Sequence, residues 1–242
     1  MIESLSNSKS QIRAEIWDLM EKRGIARFPR PVYNRIPNFV GSENATKRLI
    51  EIKEYKSART IFCNPDSPQR SAREHTLRDG KTLIMAPPRL KAKGFLVLSK
   101  KSISADKIRR ASTIKGAFQF GSIVKPSALE KIDLKIAGSV AVDIKGGRVG
   151  KGGGYSDLEF AILTAYGLID ETTRVLTTVH EVQLVENVPM TTHDVPLDIV
   201  ITQNRVIYTN TTYQKPQEIS WELLPEQKIS SIPLLKELKS RL

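Results

Sequence analysis

Thr60-Ile61-Phe62-Cys63 and Thr82-Leu83-Ile84-Met85-Ala86 are short runs of the kind a fully buried strand requires. Asn64-Pro65-Asp66-Ser67-Pro68 turns the chain after the first run, and Gln69 to Arg78 has helical character before Asp79-Gly80 stops it. A strand, a helix and a strand joined by short connections form a βαβ unit, and strands connected in this way lie parallel. That unit points to an α/β chain organised on a parallel sheet. Further strands are expected at Leu134 to Val142 and Arg174 to His180, with a hairpin of Ile199 to Thr202 and Arg205 to Tyr208 around Gln203-Asn204. Leu158 to Ile169 is apolar on nearly all sides, so its helix should be deeply buried.

Outside this centre the patterns are mixed. Ile12, Ile16, Leu19 and Met20 form one stripe of a helix from Ser8 to Arg23, which Gly24 ends. Lys9 and Arg13 stand one turn apart beside that stripe; such a pair either clamps an anion or is simply solvated. Three prolines between Phe28 and Phe39 exclude regular structure and predict an extended arm, whose Phe28, Tyr33 and Phe39 can line a cleft or anchor the arm. Ser42 or Asn44 is expected to cap a helix reaching about Ser57. Lys91 to Lys131 is the segment hardest to read, with a helix expected at Ser104 to Arg110 and no clear period at Phe118 to Lys125, and a last helical piece runs from Ile232 to Leu242. No repeat divides the chain, so residues 1–242 are expected to form one domain.

Gly146 to Asp157 lies between the expected strand at 134–142 and the apolar helix, and holds six glycines, Arg148 and Lys151 in twelve residues. Glycine can take positive φ and bring its N–H groups close to a ligand. A helix beginning near Tyr155 adds unpaired N–H groups and the positive end of its dipole. These parts suit a phosphate, although a flexible surface turn has the same composition. Neither the P-loop spacing nor G-x-G-x-x-G fits the stretch.

A formal charge of +12 favours anionic partners: nucleotide phosphates, polyglutamate-like tails or nucleic acid. The cations are scattered rather than blocked together, which suits a solvated surface as well as an RNA groove. Cys63 is the only cysteine, so there is no internal disulfide and no cysteine-based metal cluster, as expected in a reducing cytoplasm. His75, His180 and His193 have no zinc-ligand spacing. No run of 18 apolar residues predicts a membrane span, and Met1 to Arg13 lacks the apolar core of a secretory signal.

Arg148-Val149-Gly150-Lys151-Gly152-Gly153-Gly154-Tyr155-Ser156-Asp157 resembles the signature of the 5-formyltetrahydrofolate cyclo-ligases, also called methenyltetrahydrofolate synthetases. That signature runs Arg, apolar, Gly, Arg or Lys, Gly, any, Gly, Tyr, Tyr, Asp. Lys9 and Arg13 match the family's N-terminal Lys-x-x-x-Arg helix. Gln183, Pro189 and His193-Asp194 through Asp198 match its later Gln, Pro, His-Asp and Asp block. Ile16 to Glu21, Phe28 to Pro31 and Arg35 to Phe39 are similar to the methenyltetrahydrofolate synthetase domain-containing branch.

The resemblance implies a three-layer α/β/α sandwich with a mostly parallel sheet, like ribose-phosphate isomerase and CoA-transferases. It implies ATP-dependent closure of 5-formyltetrahydrofolate, or a related reduced pterin, to the 5,10-methenyl form, with ADP and phosphate released. Arg148 and Lys151 would be catalytic, stabilising charge on the transferring phosphate. Lys9, Arg13, Gly150, Lys151, Gly152, Gly153, Gly154 and Tyr155 would bind the ATP phosphates and the substrate. Asp157 would hold Mg2+, though an Asp in a first helical turn also has a metal-free role on the dipole. The expected protein is a cytoplasmic monomer with no membrane partner. Ser156 replaces the signature's second Tyr, and Ala137-Gly138-Ser139 stands where the family has a Val-Pro-type sequence. Arg73-Glu74-His75-Thr76 lies too close to Gly80-Lys81 to take the role of the family's pterin-touching Glu-x-x-Thr. A non-catalytic RNA-binding protein on the same fold is the alternative, and a sugar-phosphate isomerase is a third reading, because a fold does not dictate its function.

Overall fold

The computed structural model describes residues 2–99 and 103–242, with residues 2–6 described by their backbone alone. Helix α1 (Ile2–Lys22) begins earlier than the apolar stripe predicts and ends at Gly24, whose φ is 65°. It buries Ile16, Trp17 and Met20. Strands β1 (Ala26–Arg27) and β2 (Asn38–Phe39) pair antiparallel and close the proline-rich arm into a loop. The arm is therefore not extended to its end: Phe39 lies in a strand and is buried. Glu21 Oε1 accepts from Val32 N–H at 2.8 Å, and Trp17 Nε1 donates to the Arg35 carbonyl at 3.0 Å, pinning the arm to α1.

The next helix divides into α2 (Ser42–Glu51) and α3 (Lys53–Ser57) because Ile52 takes an extended backbone, with ψ of 152°. Gly41, rather than Ser42 or Asn44, occupies the N-cap position. The βαβ unit follows as β3 (Thr60–Cys63), α4 (Arg70–Arg78) and β4 (Thr82–Met85), and its strands are parallel. The segment hardest to read contains β5 (Phe95–Leu98), α5 (Ile108–Ala111), α6 (Ile114–Phe120) and β6 (Ser122–Val124). The expected long strand stops at Ala137. Its first half is β7 (Leu134–Ala137), while β8 (Ala141–Val142) pairs antiparallel with β9 (Arg148–Val149) in a separate small sheet.

Helix α7 (Tyr155–Ala165) is shorter than its apolar pattern, ending before Gly167 at φ 68°. Then come β10 (Arg174–Thr178), β11 (Ile199–Ile201), β12 (Val206–Tyr208), α8 (Glu226–Ser231) and α9 (Pro233–Lys239). The main sheet has eight strands in the order β12-β11-β10-β7-β3-β4-β5-β6. It is parallel from β11 to β4 and antiparallel at both ends. Successive strand residues alternate between faces. Ile61, Leu83, Leu176 and Ile199 pack with Ile16, Leu49 and Leu77 of α1, α2 and α4. Phe62, Ile84, Val175 and Val200 pack with Phe160 of α7 and Leu234 of α9. The result is the three-layer α/β/α sandwich.

From β3 the chain steps to β4 on one side and later returns to β7 on the other. Beyond the carboxyl ends of β3 and β7 such a reversal leaves a crevice, the usual place for a ligand in an open α/β sheet. Beneath it lies a buried ion pair. Lys135 Nζ of β7 is 3.3 Å from Glu159 Oε2 of α7, and Asn64 Nδ2 donates to the same oxygen at 2.7 Å. Burial pushes the Glu159 carboxyl up and the Lys135 ammonium down, while the partner's charge pulls each back. Removing one partner strands a charge in the core, so Lys135→Met should destabilise by about 3–5 kcal/mol in urea unfolding. Adding Glu159→Gln keeps the Asn64 bond and should recover most of that loss; a double variant no more stable than the single would contradict the pairing.

Candidate active site

After β9 the chain crosses Gly150 to Gly154 and enters α7. Gly152 and Gly154 have φ of 103° and 65°, a region strained for any residue with a Cβ, and Gly154 is the N-cap of α7. The loop's four glycines have no side chains to pack, and two of their carbonyls hold it to the body. Arg13 Nε donates to the Gly150 carbonyl at 2.9 Å, and Lys228 Nζ donates to the Gly153 carbonyl at 3.0 Å. Lys9, one turn before Arg13, pairs with Asp194 Oδ2 at 2.5 Å. Arg148 pairs with Asp157 and donates to the Gly138 carbonyl at 3.2 Å.

Lys9, Arg13, Arg148, Gly150, Gly152, Gly154 and Asp157 thus surround one cleft of about 310 Å3, with Thr191, His193 and Asp194 beside them. Three of the expected residues lie elsewhere. Lys151 turns to Asp66 Oδ1, 3.0 Å away, because that carboxylate stands at the end of β3 on the loop's other flank. Gly153 directs its carbonyl to Lys228, and the Tyr155 ring lies 4.9 Å from the same ammonium. Of the arm's aromatics, Phe39 packs in the core against His180, Tyr33 sits edge-on to Trp17, and Phe28 is exposed.

Arg148 is 4% exposed. Burial alone would lower its pKa, but Asp157 outweighs it, with help from Asp194 and Glu159, and the net shift is upward. Arg148 Nε is nonetheless buried without a partner among the described residues, a costly state for a donor until an anion reaches it. For Asp194, burial raises the pKa, while Lys9 and Thr191 lower it further, so the carboxylate stays charged. Asp157 Oδ1 accepts from Arg148 and, at 3.1 Å, from Val195 N–H. Among the described residues no group of three or more His, Cys, Asp or Glu side chains is placed to hold a metal. Asp157 and Asp194 suit an ion that takes one or two carboxylates and completes its shell with phosphate oxygens and water, which is magnesium's habit.

The loop's other flank lies at the switch point. Asn64 Oδ1 accepts from Ser156 Oγ at 3.1 Å and from Gly138 N–H at 3.3 Å. The buried Arg73 braces this turn, donating to the carbonyls of Asn64 at 2.5 Å, Asp66 at 2.9 Å and Ser112 at 2.8 Å. Arg73 therefore has a structural task, and Thr76 bonds back to Ala72 within α4. A Cβ on Gly138 would approach Asp66 Oδ2 to 2.7 Å, which accounts for glycine in that departure from the family sequence. Asn64, Asp66, Arg73 and Lys228 were not foreseen as site residues. The signal for the first two was an Asn-Pro-Asp turn directly after the first strand of the βαβ unit.

The sequence profile of the 5-formyltetrahydrofolate cyclo-ligase family matches residues 5–203. The chain belongs to that family. It is 40% identical over 238 residues to the methenyltetrahydrofolate synthase domain-containing protein of Mus musculus, covering 97% of this chain and 64% of that one. The Bos taurus protein of the same name is 38% identical over 236 residues, covering 96% and 62%. The chain therefore spans somewhat under two thirds of the length of these curated relatives. In fold it is similar to the 5,10-methenyltetrahydrofolate synthetase of Aquifex aeolicus, with a TM-score of 0.53, 18% identity, and 84% and 93% of the two chains covered. In this family member the glycine loop is braced by α1.

The Lys9–Asp194 pair yields a pH prediction. A carboxyl held below its ordinary value of 3.8 adds stability above that pH and loses it as the pH falls through the folded value. Asp194→Asn should lower the melting temperature at pH 7, and its difference from wild type should shrink as the pH drops below 3.8. A difference that does not change with pH in thermal melts would show that the pair contributes no such linkage.

Proposed function

We propose that this protein is an ATP-dependent cyclo-ligase that converts 5-formyltetrahydrofolate, or a related reduced pterin, to the 5,10-methenyl form. One observation carries the reading: in a member of this family, Lys9 and Arg13 of α1 converge with Arg148 on the glycine loop at the start of α7. A triphosphate there meets three cations, backbone N–H groups and the positive end of a helix dipole. The unpartnered Arg148 Nε is one donor such an anion would satisfy.

The chemistry follows from that placement. The formyl oxygen on N5 attacks the γ-phosphorus, the bond to the bridging oxygen breaks, and ADP leaves. N10 then attacks the activated formyl carbon; departure of phosphate and loss of the N10 proton leave the methenyl bridge. Lys9, Arg13 and Arg148 hold the phosphates in line and offset the charge that gathers on them. When bound, magnesium would neutralise the phosphate oxygens, with Asp157 and Asp194 as the carboxylates available to it. The pterin takes the flank at the switch point, where Ser156, Asn64 and Asp66 gather. There Lys151 faces the formyl group rather than the ATP chain. Its pair with Asp66 is half exposed and therefore weak enough to exchange for a phosphoryl oxygen during transfer. Ser156 in place of an aromatic ring weakens stacking on the pterin by about 0.5–1.5 kcal/mol without abolishing it.

No helix among the described residues is long and apolar enough to cross a membrane, and we place the reaction in the cytoplasm, carried out by a monomer. Absorbance of the methenyl product should rise when 5-formyltetrahydrofolate, magnesium and ATP are supplied, and should stay flat without ATP. Arg13→Ala should raise the KM for ATP roughly tenfold or more, the effect of losing a charge-assisted contact. Lys151→Ala should instead lower kcat and leave that KM within about threefold, since it loses an interaction made only in the transition state. Turnover of no pterin, together with RNA binding that weakens steeply with salt, would replace this reading with the nucleic-acid one.

A further inference from the structure

The cleft has a charged lining and an apolar one. Lys9, Arg13 and Arg148 belong to the first, with Asp157, Asp194 and Glu218 as its carboxylates. Leu158 and Ala161 of α7 make up the second together with Ile219, Leu223 and Leu224. The last three belong to residues 204–242, which lie beyond the 5–203 span of the family profile. The mouse and bovine relatives align with 97% and 96% of the chain, so most of this segment is common to that branch. More than a third of the residues lining the cleft therefore come from a segment that the family profile does not describe.

Lys228 on α8 also lines the cleft. Its ammonium is 3.0 Å from the Gly153 carbonyl and 4.9 Å from the centre of the Tyr155 ring. It lies so near the start of α7 that a Cβ on Gly154 would be 3.6 Å from Nζ. A helix N-terminus already carries partial positive charge, so a lysine there adds like charge to like. Asp157 offsets part of this, but it is also the partner of Arg148. Arg148, 4% exposed and lining the same cleft, has a buried Nε without a partner among the described residues. Four cations against three carboxylates in the lining, with an unsatisfied buried N–H among them, call for an anion. An apolar wall next to it calls for a flat, weakly hydrated group attached to that anion.

We propose that residues 216–228 form the nucleobase half of the nucleotide site, with Ile219, Leu223 and Leu224 as the base wall and Lys228 as a fourth phosphate-binding cation. The inference rests on the nucleotide reading above and adds to it the elements that select a nucleoside triphosphate over a bare polyphosphate. Leu223 is 42% exposed, as befits a side chain that a base would cover. One Lys228 N–H stays on Gly153 as the others reach the phosphates, so the loop is latched and the charge delivered by the same side chain.

Calorimetric titration of the full chain with ATP and with inorganic tripolyphosphate, magnesium present, separates the parts. Lys228→Gln retains an N–H for the Gly153 carbonyl and removes the charge; it should weaken both ligands about tenfold. Leu223→Ser, a substitution at a partly exposed position, should weaken ATP about fivefold and leave tripolyphosphate unchanged. Thermal melts of both variants check that the fold is kept. Wild type that binds neither ligand overturns the nucleotide reading and this inference with it. Wild type that binds both, with Lys228→Gln equal to it, makes Lys228 a latch only and overturns its assignment. A Leu223→Ser effect that is absent, or equal for the two ligands, overturns the base wall.

Discussion

The glycines of the loop have no side chains with which to hold their position, so the site depends on cations that grip their carbonyls. Arg13 holds Gly150 and Lys228 holds Gly153. Arg148, at the loop's start, reaches forward to Asp157 in the first turn of α7 and so fixes the loop's span. The two carbonyl grips bring distant parts of the chain to one place: α1 from the beginning and α8 from near the end. Removing the grips would leave a run of residues whose conformational freedom is the largest any sequence offers.

The loop is also a partition. On one flank lie Lys9, Arg13, Arg148 and the apolar lining; on the other lie Asp66, Asn64 and Ser156 at the reversal of strand order. The proposed reaction passes a phosphoryl group between two substrates, and the two flanks are where we place them. The flank at the switch point is supported from below. Asn64 bonds to Glu159, Glu159 pairs with Lys135, and Arg73 secures the backbone turn that carries Asn64 and Asp66. Such a network is rigid because its buried polar groups satisfy one another, several of them through more than one bond.

Local patterns were enough to locate the β3–α4–β4 unit, β10, the β11–β12 hairpin and the apolar α7. Strands β3, β4, β10 and β11 are buried along almost their whole length, and burial selects unbroken apolar runs. The outer strands β5 and β6 were not legible: they are four and three residues long, pair antiparallel at one edge, and in β6 leave Ile123 half in water. The division of α2 from α3 at Ile52, and the end of β7 at Ala137, are set by what each segment meets in space and leave no mark on the pattern.

The sequence by itself determined the α/β class, the glycine loop, and the fact that Lys9 and Arg13 share one helix face, because each follows from the chemistry of residues close along the chain. Only the tertiary structure decided that Lys151 leaves the cleft for Asp66, that Asp194 closes on Lys9, and that Lys228 arrives to complete the loop. Those are contacts between groups 85, 185 and 75 residues apart. Nothing local favours one partner over another at such separations. The choice is made by the packing of α1, α7 and α8 around the sheet, which brings certain pairs within reach and leaves the rest in water.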